Sequence, residues 1–128
     1  MNVPADLKYT SDHEWVRRDG PDVVAVGITD HAQAALGDLV YVELPEVGRR
    51  VQAKEACAVV ESVKAASDVY APVPGEVVAR NDELSGRPEM VNEDPYGAWL
   101  FKLRIDDESV LANLLSPGTY AKDLENAA

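Results

Sequence analysis

The sequence predicts a mainly β protein with short helices, built from two similar antiparallel units and followed by a C-terminal helix. Short valine-rich runs alternate with residues that favour turns, which is the pattern of successive short strands. The pattern Val-Tyr-x-x-x-Pro starts at Val40 and again at Val69, each time before a second valine-containing run. This repeat predicts two β units about a pseudo-twofold axis, with Lys64 near their junction. At 128 residues the chain is expected to form a single domain, residues 1–128.

The first part of the chain is predicted to form a short strand, a β-hairpin and a helix. Residues 7–9 are an extended segment, and residues 13–18 and 23–28 are strand-like runs joined by a loop that contains Gly20. Thr29 is a suitable N-cap, and Asp30 suits the positive end of a helix dipole. Gly37 suits the position after a helix, so the alanine-rich residues 30–36 are predicted to form about two helical turns.

Lys64 lies at the tip of a second predicted hairpin, between the strand-like residues 56–60 and 68–71. The connection, residues 61–67, contains no glycine, asparagine or proline of the kind that usually favours a tight turn. Small side chains follow the lysine, so its ammonium group should stand clear of its neighbours, as covalent modification by an enzyme requires. The alternative is an ordinary solvated lysine.

The last third of the chain is predicted to contain a loop, a strand and helices. Residues 81–92 are rich in polar residues, glycine and proline, and we expect an exposed loop with short local structure. Residues 99–105 alternate between apolar and polar side chains, which predicts the final strand. A helix should begin at Asp107 and end at Pro117, with a shorter one over about 119–125. The apolar face of the first helix carries Val110, Leu111, Leu114 and Leu115.

The charge balance and the hydropathy exclude several classes of partner. The chain has 23 acidic and 12 basic residues, a net charge of −11, which argues against nucleic acids and anionic membranes. No apolar run approaches the roughly 18 residues of a membrane span, and the first residues lack the features of a targeting peptide. We expect a soluble, cytoplasmic, bacterial protein whose partners have basic docking faces. The alternative is that the acidic surface only aids solubility.

Residue types that carry out catalysis are scarce. Two histidines and the single cysteine, Cys57, make neither a zinc cluster nor a Cys/His nucleophilic pair, so no metal site is expected. Phosphate-binding loops, dinucleotide-binding glycine patterns and nucleophile elbows are absent from the sequence. Cys57 lies in a strand-like run and is expected to be a small buried residue rather than a reactive thiol. A modification site without catalytic residues indicates a carrier rather than an enzyme.

Several blocks spread over nearly the whole chain match one family. The lysine block runs from Glu61 to Asp68 and continues to Val77. The other matching blocks are Leu7-Lys8-Tyr9, His13-Glu14-Trp15, residues 26–33, 36–38 and 43–48, Asn92 with Pro95, Tyr96, Trp99 and Lys102, and Asp107-Glu108-Ser109 with Leu114 and Leu115. With these blocks the chain resembles the H proteins of the glycine cleavage system. Gly97-Ala98 and the tail after Leu124 depart from the pattern, which puts only local surface detail in doubt.

The resemblance implies a fold, a cofactor and partners. The fold is of the lipoyl/biotinyl type, a small antiparallel β-sandwich or flattened barrel (a barrel-sandwich hybrid) with a C-terminal helix. Lipoate would be joined to Lys64 through an amide, by a lipoate ligase or an octanoyltransferase. The arm would carry an aminomethyl group from the pyridoxal-phosphate glycine decarboxylase (P protein) to the aminomethyltransferase (T protein), and dihydrolipoyl dehydrogenase (L protein) would reoxidise it. A monomer suits a carrier that visits several active sites.

The chemistry of this cargo requires a cleft, because an aminomethyl adduct would hydrolyse in bulk water. Its amine is cationic and should bind carboxylates. By match to the family motifs, Glu14 and Asp68 are the candidates, with His31 and the apolar residues near it as a wall. The alternatives are solvated charges at strand ends for Glu14 and Asp68, and a surface position near the helix start for His31.

Three other classes of protein are alternatives to this family. A biotin carrier domain usually has its lysine between methionines, whereas Val63 and Ala65 flank Lys64. A lipoyl domain of a 2-oxo-acid dehydrogenase, the carrier of another multienzyme system, usually shows Asp-Lys-Ala in a longer chain without a His-Glu-Trp block. An unmodified β-sandwich interaction module would not need Lys64 for its function.

Overall fold

The computed structural model describes residues 2–126, which form two antiparallel sheets accompanied by short helices. The predicted mainly β, antiparallel fold with short helices is therefore confirmed. In chain order the elements are β1 Lys8–Tyr9, β2 Glu14–Arg18, β3 Val23–Ile28, α1 Asp30–Leu36, β4 Leu39–Glu43, β5 Arg50–Val51, β6 Ala56–Ser62, β7 Ala66–Tyr70, β8 Gly75–Arg80, α2 Glu83–Gly86, α3 Met90–Glu93, β9 Phe101–Arg104, a 3₁₀ helix Glu108–Asn113, and α4 Pro117–Asn126.

The two sheets pack face to face around the main core. The larger sheet has the order β1-β2-β3-β9-β8-β5, and the smaller has the order β4-β6-β7. The core joins Val24 and Val26 of the larger sheet to Val60 and Val69 of the smaller one. The two Val-Tyr runs lie in β4 and β7, on either side of β6, and the strands that follow them, β5 and β8, pair with each other. Each repeated unit therefore contributes one strand to each sheet.

Strand β2 buries side chains on both of its faces. Successive residues of a strand point to opposite faces, so Glu14 and Val16 lie on one face and Trp15 on the other. Val16 belongs to the main core, whereas Trp15 packs in a second cluster that includes Tyr120 of α4. Helix α4 thus covers the outer face of the larger sheet. Glu14 points into the space between the sheets.

The first helix has the ends that the sequence predicts. Thr29 is the N-cap, and its hydroxyl accepts a hydrogen bond from Ala32 N. Gly37 follows the helix with φ of 84°, a conformation that glycine adopts without steric cost. The Asn92 side chain donates to Gly37 O at 2.9 Å and accepts from Leu39 N at 2.9 Å. This asparagine therefore holds the junction between α1 and β4.

The segment 81–92 is more ordered and more buried than its composition predicts. It contains the single-turn helices α2 and α3, which bury Leu84 and Val91 completely in the main core. The expectation of short local structure is confirmed, but an exposed loop is wrong for these two residues. A polar local composition does not reveal that isolated apolar residues reach the core. The final strand, Phe101–Arg104, is shorter than the predicted 99–105.

The C-terminal region differs from the prediction in where its helices begin and end. Residues 108–113 form only a 3₁₀ helix, and Leu115 instead pairs with Tyr9 through backbone hydrogen bonds of 2.9 and 2.7 Å. Pro117 does not end a helix but begins α4, because proline lacks the N–H that the first helical turn does not use. Ser116 Oγ accepts from Thr119 N at 3.2 Å and caps this start. Within residues 2–126, no helix has the length and apolar character to cross a membrane.

Candidate functional site: the Lys64 hairpin and the Glu14 cleft

Lys64 lies at the exposed tip of the hairpin formed by β6 and β7. The ladder ends at the pair Glu61 and Ala66, and Ser62 N donates to Ala65 O at 2.7 Å. The Ser62 hydroxyl accepts from Ala65 N at 3.2 Å, so a serine side chain closes the turn. The connection lacks glycine, asparagine and proline, and the side chain of Ser62 forms its turn instead. Lys64 contributes no hydrogen bond to the turn among those of residues 2–126.

The end of helix α1 lies beside the Lys64 side chain. A Cβ added to Gly37 would lie 3.6 Å from Lys64 Cε, so the aliphatic part of the lysine passes close to this glycine. A shallow depression of about 290 Å³ separates the α1 end from the hairpin tip. Within the described part of the chain, no carboxylate forms a salt bridge with Lys64. The amine is accessible, and the side chain of Val63 next to it is 87% exposed.

A cleft of about 420 Å³ opens at the other end of β7. Tyr70 and the following Pro72 form one wall. Leu114 and Leu115, between the 3₁₀ helix and α4, form an apolar wall, and Glu14 contributes a carboxyl group. The cleft therefore combines apolar walls with a buried acid. At about 3.3 Å per residue, Tyr70 is about 20 Å along the strand from Lys64.

Glu14 is the one acidic residue among the buried polar residues of the described chain, with 2% of its surface exposed. Its Oε1 accepts from Thr10 Oγ1 at 2.6 Å, and its Oε2 accepts from Tyr70 N at 3.3 Å. Burial raises the pKa of Glu14 from its ordinary 4.5 to about 7, although these two hydrogen bonds oppose the rise. No lysine or arginine of residues 2–126 forms a salt bridge with it. Such a carboxyl group can accept a cation from outside the chain.

Asp68 lies on β7 between Lys64 and the cleft. It is exposed, and strand alternation places it on the same face as Tyr70, one side-chain period nearer the hairpin tip. His31 does not line the cleft. Its ring lies 4.5 Å from the ring of His13, near the start of α1. Glu14 thus lines the cleft and is hydrogen-bonded to Tyr70 of β7. Asp68 lies on β7 outside the cleft lining, and His31 contacts His13 instead.

Four residues that contact the site residues or their neighbours were not predicted from the sequence. Thr10 and Tyr70 hold the Glu14 carboxyl group, Asn92 holds the end of α1 near Lys64, and Tyr120 contacts His13. The sequence offered one signal for the contact between Thr10 and Glu14, which is a hydroxyl residue four positions before an acid. Tyr120 is 107 residues from His13, and nothing local indicates their contact.

The single cysteine is buried, as predicted. Cys57 is 6% exposed, and its Sγ lies 3.7 Å from Val69 O. Burial raises the pKa of the Cys57 thiol to about 12, so the thiol stays protonated at neutral pH. The thiolate that disulfide exchange requires is therefore not available at this position.

Comparisons with known proteins agree on one family. The family described as Glycine cleavage H-protein matches residues 7–127. A glycine cleavage system H protein of Azoarcus sp. (strain BH72) is 58% identical over 122 residues, which are 95% of this chain and 96% of that protein. The glycine cleavage system H protein of Escherichia coli (strain K12 / DH10B) is 57% identical over 126 residues, 98% of both chains.

Comparison of the backbone with a solved structure indicates the same family. The crystal structure of a glycine cleavage system H protein from Mycobacterium marinum aligns with a TM-score of 0.87 at 42% sequence identity. The alignment covers 98% of this chain and 100% of that one, so the two-sheet architecture is the lipoyl-type barrel-sandwich fold. Since sequence and backbone agree over nearly the full length, the chain belongs to the glycine cleavage H-protein family.

Proposed function

We propose that this chain is the non-catalytic lipoyl carrier of a bacterial glycine cleavage system, with lipoate attached to Lys64. It takes an aminomethyl group from the glycine decarboxylase, delivers it to the aminomethyltransferase and is reoxidised by dihydrolipoyl dehydrogenase. It works as a monomer in the cytoplasm, where a lipoate ligase or an octanoyltransferase modifies it. Membership of the family supports the proposal, and the observation that carries it is the exposed lysine at the hairpin tip.

The hairpin tip fits an enzyme that must enclose a lysine. Lys64 is exposed, and the three residues that follow it, Ala65 to Ser67, are exposed and have small side chains. Because Ser62 closes the turn, Lys64 can be acylated without loss of a hydrogen bond that stabilises the hairpin. Acylation removes the positive charge of an ammonium group that forms no salt bridge within residues 2–126, so its cost to stability is small.

The reactive sulfur atoms belong to the attached lipoyl group and not to a side chain of the protein. A dithiolane at the end of the arm supplies thiol–disulfide exchange and a sulfur that accepts the cargo. Cys57, the only cysteine in the sequence, is buried and protonated, so it does not compete as a thiolate.

Glu14 is the group that binds the cationic amine of the cargo in the cleft. In a site of low dielectric constant, a carboxylate attracts an ammonium group more strongly than it does in water. The cation also favours the ionised form of Glu14, so the amine and the carboxylate stabilise each other. The apolar walls formed by Pro72, Leu114 and Leu115 exclude water and protect the cargo from hydrolysis. Asp68 attracts the amine along β7, while His31 supports the region only through its contact with His13.

The first test is the intact mass of the protein purified from its own cells, with the modified peptide located by fragmentation. We expect one lipoyl-sized increment on Lys64 and none in Lys64→Arg. Lys122→Arg, a change at an exposed lysine of α4, is the matched control and should be modified fully. A biotin-sized increment would indicate another carrier system. No increment, even after incubation with lipoate, ATP and a competent ligase, would leave an interaction module.

The second test addresses the cleft. The loaded protein is isolated, and the loss of its aminomethyl group is followed as released ammonia. Glu14→Gln removes the negative charge and keeps the shape, so we expect the cargo to be lost several-fold faster, at least about tenfold if one charged hydrogen bond is lost. Asp68→Asn should have a smaller effect, because Asp68 is exposed. An unchanged lifetime in Glu14→Gln would exclude the cleft role of this residue.

A further inference from the structure

The hydroxyl group of Tyr120 is buried where helix α4 meets the start of β2. The residue is 1% exposed, and its ring stacks on Tyr9 with the ring centroids 4.6 Å apart. Its oxygen lies 2.8 Å from His13 Nδ1 and 2.8 Å from Thr29 Oγ1. Buried hydroxyl groups need such partners, because an unsatisfied one destabilises the folded state. Both partner residues, His13 and Thr29, are about a hundred positions away from Tyr120 in the sequence.

These contacts form a continuous chain of hydrogen bonds. Thr29 Oγ1 accepts from Ala32 N as the N-cap of α1, and its own proton is free to point to Tyr120. Tyr120 can then donate to His13 Nδ1. Burial, followed by the nearby His31, lowers the pKa of His13, which favours the neutral ring that accepts this bond. These hydrogen bonds therefore connect the N-terminus of α1 and the side of α4 to His13.

His13 is a residue whose backbone needs support. Its φ is 70°, in the left-handed region that non-glycine residues seldom occupy because it is strained for them. Its N donates to Thr10 O at 3.2 Å, and its O accepts from Thr29 N at 3.0 Å. The next residue is Glu14, whose N donates to Thr10 Oγ1 at 3.2 Å. The turn from Thr10 to Glu14 thus sets where the Glu14 carboxyl group lies.

We propose that Tyr120 is a positioning residue of the cleft: its hydroxyl holds His13 in the left-handed turn that directs Glu14 into the space between the sheets. The same segment forms the facing wall, because Leu115 lines the cleft and pairs with the Tyr9 backbone just before α4 begins. Docking of α4 therefore places an apolar wall and the acid of the cleft together. The purpose of this positioning, which is to bind the cargo in the cleft, rests on the proposed function. The test of the positioning does not depend on the lipoyl group.

The test compares Tyr120→Phe with Tyr96→Phe in the unmodified full chain. Both variants keep the ring and remove a hydroxyl with two hydrogen-bond partners, which for Tyr96 are Asn2 O and Asp30 N. Carbon-13 NMR of the glutamate carboxyl groups follows the titration of Glu14, and amide hydrogen exchange follows the turn. In Tyr120→Phe we expect the pKa of Glu14 to fall from about 7 toward its ordinary value, by about one unit, since the carboxyl group becomes less buried.

In the same variant the amides of His13 and Glu14 should exchange about tenfold faster, while those of β9 keep the wild-type rate. Tyr96→Phe should leave the Glu14 titration unchanged. A merely structural role for Tyr120 predicts lower stability in both variants and an unchanged titration, and that result would overturn the proposal. An equal effect of Tyr96→Phe would also overturn it. Failure to find lipoate on Lys64 would refute the proposed function, but it would not change the titration of Glu14 that is expected in Tyr120→Phe.

Discussion

The buried carboxyl group of Glu14 should make the stability of this protein depend on pH in a direction unusual for an acidic residue. Burial raises its pKa from 4.5 to about 7, which corresponds to about 3 kcal/mol at 1.36 kcal/mol per pKa unit. The folded state therefore binds the proton more tightly than the unfolded state. This contribution is fully present below pH 4.5 and is lost as the pH rises through about 7.

The substitution that tests this is Glu14→Gln, which keeps the size of the side chain and cannot ionise. The amide oxygen can accept from Thr10 Oγ1 as Oε1 does, whereas the amide nitrogen cannot accept from Tyr70 N as Oε2 does. The loss of that contact does not vary with pH, so the pH dependence of the difference still reports the ionisation of Glu14. From about pH 4.5 to about pH 8, the free energy of unfolding of the variant should rise relative to wild type by about 3 kcal/mol. The assay is urea unfolding at several pH values and constant ionic strength.

The control is Glu55→Gln, because Glu55 has the opposite behaviour. Hydrogen bonds from Gln52 N and then from Arg49 lower the pKa of Glu55, so it is ionised in the folded state over this whole range. The difference between wild type and this variant should be nearly flat from about pH 5 to about pH 8. If Glu14→Gln gave an equally flat difference, Glu14 would not be in a desolvated site, and the argument for its binding a cation would fail.

Three further predictions concern packing and reactivity. Leu84→Ala should reduce the free energy of unfolding by about 2–5 kcal/mol in denaturant titration, although Leu84 lies in a segment of loop-like composition, because the residue is completely buried. Gly27→Ala should cost about 1–3 kcal/mol or more in the same assay, since the new Cβ would lie 2.6 Å from Trp15 Nε1. A loss below about 1 kcal/mol would contradict this packing. Cys57 should resist alkylation by iodoacetamide at pH 8 in the native protein and react fully in urea, as measured by mass, because burial raises the pKa of its thiol to about 12.

Local rules predicted the elements of this fold well wherever neighbouring residues decide the conformation. The hairpin of β2 and β3, the helix from Asp30 to Leu36 with its Thr29 cap and the Gly37 after it, and the exposed lysine between two strands all follow from alternation, capping and turn preferences. The same rules failed at Pro117, since proline is common both just after the end of a helix and at the first position of one. They also failed at Leu84 and Val91, where burial depends on residues far along the chain.

The candidate site also combines a residue that local sequence predicts with one whose environment depends on distant contacts. Lys64 was predicted from its own block of sequence, and the structure places it at an exposed hairpin tip, although attachment of lipoate to it stays a prediction. Glu14 was selected by its match to a motif, and its environment could not be read from the sequence. The alternation of β2 points the acid between the sheets, where Tyr70 N of the other sheet donates to it.

By itself, the sequence determined the class of the protein: a small antiparallel β fold with an accessible lysine at a hairpin tip. These features depend on residues close together in the chain, whose propensities act before any long-range contact forms. Only the tertiary structure decided that Glu14 is desolvated, that the segment before α4 closes its cleft, and that Tyr120 contacts His13 across 107 residues. Such contacts depend on strand register and on how the layers pack, and a pattern within one segment carries no information about either.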